Sequence, residues 1–166
     1  RKTISENLLQ VISEILDFPT SYFYLDGTVI DVKLSLFRKR QKLSKKIQSH
    51  ILGTINVIAD ACKNLADDTR SMNINVPFFS LEKYKKPEEI ARTLRLYWNV
   101  PQGPIENLTN LLEDNGIIIN FIKVDDDKFD GYSYTDNDLH VIVVNSALSG
   151  DRLRYTLAHE LGHTIM

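Results

Sequence analysis

His159 and His163 stand four residues apart in the run Arg152-Leu153-Arg154-Tyr155-Thr156-Leu157-Ala158-His159-Glu160-Leu161-Gly162-His163. On a helix of about 3.6 residues per turn, that spacing stacks two imidazoles on one face, within reach of a single ion. Neutral imidazoles in this arrangement suit zinc, and a catalytic zinc lowers the pKa of its bound water towards about 7. Glu160 is too close to His159 in sequence to share the ligand position easily, but it can reach a water on the open side of the metal and take its proton. The chemistry these residues point to is metal-assisted amide hydrolysis, with His159 and His163 as metal ligands and Glu160 as general base. A chance His-Glu-x-x-His in a chain of this composition is expected at roughly half a percent, so the match is informative without being decisive. The competing reading is a helix that carries two histidines and no metal. Leu157, Leu161 and Ile165 supply a separate apolar stripe, which leaves the histidines available for other work.

The elements that must position these residues are legible just upstream. His140-Val141-Ile142-Val143-Val144-Asn145 reads as a strand, and Ser149-Gly150-Asp151 reads as a cap opening the helix. A strand leading into such a helix gives an extended substrate an edge to lie on beside the metal. Before it, Ile117 to Val124 is apolar enough to be a strand covered on both faces. Asp130-Gly131-Tyr132-Ser133-Tyr134 runs through an Asp136-Asn137-Asp138 turn into the 140–145 strand, which predicts antiparallel pairing in a hairpin. Pro87-Glu88-Glu89 opens a helix that carries Ile90, Ala91, Leu94, Tyr97 and Trp98; Gly103-Pro104 opens another, ending at a left-handed Gly116. The acidic run Asp125-Asp126-Asp127 lacks the spaced ligands of a calcium loop and reads as a solvated turn.

The amino-terminal half reads as helical. Ser5 caps a helix to Leu16 with Leu8, Leu9, Ile12, Ile15 and Leu16 on its apolar side, and Asp17-Phe18-Pro19 ends it. From about Leu36 to Ala66 the spacing of Ile47, Ile51, Ile55, Ile58, Cys62 and Leu65 predicts a long helix. Its basic start, Lys33 to Lys46, is either a phosphate-backbone contact or a solvated face. Asn73 to Ser80 reads as a linker, which predicts a helical region over 1–80 and a second domain over 81–166.

With 166 residues, 43% hydrophobic content and a net charge of -2, the chain predicts a packed globular protein without whole-molecule affinity for nucleic acid. A single cysteine, Cys62, excludes an internal disulfide and fits a reducing cytoplasm, and no apolar run is long enough for a membrane span. Both ends read as cut.

Several separated strings resemble, in order, the ImmA/IrrE family of zinc metallopeptidases: Pro87-Glu88-Glu89-Ile90-Ala91, Leu94-Arg95, Trp98, Gly103-Pro104-Ile105, Leu111-Leu112-Glu113, Gly116, Asp130-Gly131, Ser133, Val143-Val144-Asn145 and Arg152 to His163. The resemblance implies an α+β architecture: a helical amino-terminal region, then a small zincin-like domain with a short antiparallel sheet and the helix bearing His159, Glu160 and His163. It implies a zinc-dependent endopeptidase whose substrate is a repressor-like regulatory protein in a stress or mobile-element response. Residues 1–80 are similar to the segment that joins a phage-repressor-type helix-turn-helix to the peptidase, with Ile12 to Phe23 as the module's tail; DNA binding is thus implied for a longer parent. The third zinc ligand of the family, an acidic residue on a later helix, has no match before Met166. Arg152 or Arg154 either orients substrate or a neighbouring carboxylate, or is an exposed first-turn charge; Tyr132 or Tyr134 is a candidate oxyanion donor. No membrane partner is expected, and a homodimer stays open. The rival function is a non-catalytic transcriptional regulator whose peptidase-like domain senses a ligand or binds a partner. A structural metal with four protein ligands is the third reading.

Overall fold

The structure, a computed structural model, describes residues 4–16, 18–24, 49, 52–58, 60–61, 74–84, 86–124, 129–136 and 139–166. The basic stretch from Lys33 to Lys46, the cysteine Cys62 and the aspartates 125–127 lie outside the described residues.

β3 (Leu139–Asn145) is the centre of the molecule, and all seven of its residues are buried. It pairs on one side with β1 (Ile117–Ile122) and on the other with β2 (Gly131–Asp136), giving the order β1-β3-β2. The expected hairpin is present between β2 and β3, which run antiparallel with Ser133 opposite Ile142. The fully antiparallel sheet is not: β1 runs parallel to β3, with Ile119 opposite Ile142, so the sheet is mixed. The two-residue connection at 137–138 suits a tight hairpin, whereas β1 and β2 occupy opposite edges, so the chain between them must cross the end of β3.

That crossing explains a buried polar residue. Asn145, 2% exposed, ends β3 between Val124, which follows β1, and Phe129, which precedes β2. Its amide nitrogen donates to the carbonyls of Val124 and Phe129, and its amide oxygen accepts from the Val124 and Ala147 nitrogens. A single side chain thus satisfies backbone groups that a loop over a strand end would otherwise bury unpaired.

The pleat of β3 sends alternate residues to two cores. Val141 and Val143 pack with Leu139, Phe129, Val124 and Ile55. Ile55 is 0% exposed and belongs to a helical stretch at 52–58, so part of the amino-terminal half covers this face of the sheet. Ile142 and Val144 pack on the opposite face against three helices: α2 (Pro87–Tyr97), α3 (Leu108–Asp114) and α4 (Gly150–Ile165). α2 begins at Pro87 and buries Ile90 and Leu94, as expected. α3 begins at Leu108 and not at Gly103-Pro104, because the Asn107 side chain accepts from the Asn110 nitrogen and caps it there. Arg95 instead holds the Gly103-Pro104 corner open, donating to the carbonyls of Pro101 and Gly103. Gly116 ends the turn at φ +88°, as predicted.

The 74–80 segment has no regular secondary structure, yet it is strapped to the body. Phe79 is buried and its nitrogen donates to the Ile165 carbonyl at the end of α4; Asn75 receives the Trp98 indole N–H and bonds Asn115. The amino-terminal helix α1 (Glu6–Leu16) forms as expected, with the Leu8 nitrogen donating to the Ser5 hydroxyl; its Leu8 and Ile15 are exposed, while Leu9 and Ile12 are half-buried.

Candidate active site

α4 carries three distinct stripes. Leu157, Leu161 and Ile165 point into the helical core, Thr156, Glu160 and Thr164 are buried, and Tyr155, His159 and His163 are exposed. One residue along a helix is a rotation of about 100°, so Glu160 leaves the histidine stripe and turns inward although it is the neighbour of His159. Ser149 occupies the N-cap position with extended backbone, but its hydroxyl is not the capping acceptor. It bonds the Asp151 carboxylate instead; this bond first, and then the nearby backbone N–H groups, hold Asp151 below the usual carboxylate range.

The imidazoles of His159 and His163 meet as the spacing predicts. Their Nε2 atoms are 3.2 Å apart and their ring centroids 4.8 Å apart at an interplanar angle of 87°. Two nitrogens bound tetrahedrally to one zinc at 2.0–2.1 Å would be separated by about 3.3 Å. The separation of the two nitrogens, which is also that of a ring-to-ring hydrogen bond, thus matches the spacing of two ligands on one divalent ion. Tyr155, 72% exposed, lies one turn earlier with its ring 6.2 Å from that of His159 and nearly parallel to it. Among the described residues there is no group of three or more His, Cys, Asp or Glu side chains that could hold a metal. The third described histidine, His140 on β3, is buried with Nδ1 3.3 Å from the Thr135 hydroxyl.

Glu160 is 3% exposed and faces β2, where the Ser133 hydroxyl donates to Oε2 at 3.0 Å. Close approach of helix and strand depends on Gly131. A Cβ there would lie 2.7 Å from Thr156 Cγ2, 3.2 Å from the Val143 carbonyl oxygen and 3.3 Å from Glu160 Cγ. The strand alternation puts Gly131 and Ser133 on the α4 side and sends Tyr132 and Tyr134 to the opposite face, against the Ile55 core. Burial first, then the charge of Glu160 and then that of Tyr134, push the Tyr132 phenol above its ordinary value. Neither tyrosine is on the side of the sheet where Ser133 meets Glu160.

The arginines also divide. Arg152 grips Asp130 with two bonds, Nη2 to Oδ1 at 2.8 Å and Nε to Oδ2 at 3.3 Å, and so orients a neighbouring carboxylate at the start of β2. Arg154 donates to the Glu106 carbonyl. The sequence named Ser133, Gly131 and Asn145 as hairpin residues and as parts of a resemblance, without a role for any of them; their roles follow from strand alternation, which a register fixes and a string does not.

The histidine pair is exposed on one face of α4, and the Glu160 carboxylate turns in towards Ser133 on β2. Residues 112–166 match the model of the peptidase M78 family, the IrrE N-terminal-like domain. The match supports the ImmA/IrrE family, and it covers the last turn of α3, the whole sheet, and α4 with His159, Glu160 and His163. No curated protein and no solved structure matches the chain. No described helix is long and apolar enough to cross a membrane.

Proposed function

We propose that the chain is a zinc-dependent endopeptidase that cleaves an extended segment of a regulatory protein. The observation that carries this reading is the 3.2 Å approach of the His159 and His163 Nε2 atoms, with the buried Glu160 on the same helix turn. His159 and His163 would hold zinc as two of its protein ligands. When bound, zinc supplies a Lewis acid that brings the pKa of a coordinated water towards about 7. Glu160 takes the proton of the attacking water and passes it to the amine that leaves as the peptide C–N bond breaks. The 140–145 strand is paired on both sides and offers no edge; among the described residues β2 is the edge strand beside α4, and a substrate segment would pair with its outer side by main-chain hydrogen bonds. A repressor-like substrate, and an amino-terminal DNA-binding module ahead of the 1–80 region and the 81–166 domain, belong to the proposal on the strength of the resemblance.

The test compares zinc-loaded full-length protein with its Glu160→Gln variant in a lysate of the source cells, reading new protein amino termini by mass spectrometry. Termini produced by the wild type and absent with the variant, at equal zinc content, support a peptidase. Identical profiles overturn it and favour a regulator whose peptidase-like domain only binds a partner. That rival draws on the absence of a third acidic or histidine ligand among the described residues.

A further inference from the structure

We infer that Ser133 is a positioning residue for Glu160, acting by a hydroxyl bond from the edge strand that fixes the rotation of the base. The inference rests on the peptidase reading above and adds a residue to it.

Two contacts lock α4 to β2. At one end Arg152 grips Asp130; eight residues on, Glu160 accepts from Ser133. Eight helical residues rise about 12 Å. Three strand residues, from Asp130 to Ser133, extend about 10 Å. Helix and strand thus keep step between the two contacts. Between them Gly131 lets the Thr156 side chain press to the backbone of β2. A carboxylate on a surface helix would rotate freely about its last torsion. Here Glu160 is buried against a strand that the hairpin to β3 holds rigid, and one of its oxygens is tied to Ser133. The bond joins a charged acceptor to a hydroxyl donor in a buried place, where such bonds are strongest. It also links the base to the strand whose outer edge takes the substrate, so displacement of β2 moves the carboxylate with it.

A base misplaced by about 1 Å loses on the order of a hundredfold in rate, and a bond to a charged group contributes about tenfold to a hundredfold. The experiment uses full-length wild type, Ser133→Ala and Ser133→Thr, with a peptide spanning the cleavage site found in the lysate assay. Ser133→Ala should lower kcat about tenfold to a hundredfold with KM and Zn2+ affinity within twofold of wild type. Ser133→Thr, which returns a hydroxyl on a strand-favouring side chain, should recover kcat to within about threefold. A second measurement needs neither metal nor substrate: in the zinc-free protein, Ser133→Ala and Glu160→Ala should be coupled about fivefold or more in the unfolding equilibrium constant. Wild-type kcat in Ser133→Ala, a loss that tracks lost zinc, no recovery in Ser133→Thr, or additive unfolding effects overturns the inference and leaves the peptidase intact. No Glu160-dependent cleavage by the wild type overturns both.

Discussion

Gly131→Ala tests the helix-on-strand contact most directly. Gly131 is not at positive φ, so alanine carries no backbone strain there, and the entropy it removes from the unfolded chain would by itself stabilise by about 0.4–1 kcal/mol. Against that stands the space. The new methyl would meet Thr156 Cγ2 at 2.7 Å, a distance at which one atom must move, and the Val143 carbonyl oxygen at 3.2 Å. Thr156 is buried on α4, and the Val143 oxygen belongs to the backbone of the central strand. Neither is the loose end of a flexible chain. Overpacking of this kind costs about 1–3 kcal/mol, so the net loss should be about 1–2 kcal/mol. With a urea slope of about 2 kcal/mol per molar, the unfolding midpoint should fall by about 0.5–1 M. Thr156→Ser removes the closest atom, so the double variant should be more stable than the sum of the single effects predicts, with recovery incomplete because the Val143 contact remains. A midpoint equal to or above that of wild type, or strict additivity with Thr156→Ser, would refute the claim that α4 is pressed onto β2 at this glycine.

Asn145→Ala strips partners from four backbone groups in a buried corner and should cost about 3 kcal/mol or more, read as a lower urea midpoint; Asn145→Asp keeps only the acceptor side and should not rescue it. His159→Ala should abolish Zn2+ binding measured by titration of the metal alone, while the melting temperature of the zinc-free protein shifts little, since the ring is exposed. Tyr132 should ionise, by phenolate absorbance, later than a free tyrosine at about pH 10. Because its folded value lies above the unfolded one, its contribution is fully present below that pH and is lost as pH rises through the folded value; Tyr132→Phe should flatten that alkaline loss.

The helices were read from sequence wherever a local rule decided them. Pro87 starts α2 because its fixed φ and missing N–H suit a first turn, and Gly116 ends α3 because it accepts positive φ. Gly103-Pro104 obeys the same rule of thumb and misled, since a capping asparagine four residues after Gly103 and a guanidinium clamping the corner decide where α3 begins. The sheet shows the same division. Apolar runs identified β1 and β3, but apolar runs carry no direction. The parallel direction of β1 against β3 is a matter of tertiary pairing, in which the Asn145 side chain holds Val124, just after β1, and Phe129, just before β2, at the end of β3.

The sequence by itself settled the histidine stripe, for the geometry of one helical turn is local: given a helix, residues 159 and 163 must face the same way. It likewise settled that Leu157, Leu161 and Ile165 face elsewhere. Only the tertiary structure decided what Glu160 meets when it turns inward. The Ser133 hydroxyl lies 27 residues away along the chain, and it reaches the carboxylate only through the β2–β3 register and the gap left by Gly131. A one-residue slip in that register would replace Ser133 by a tyrosine on the same face, because side chains alternate every residue along a strand. No property of either segment alone fixes that register; the packing of α4 against the sheet does.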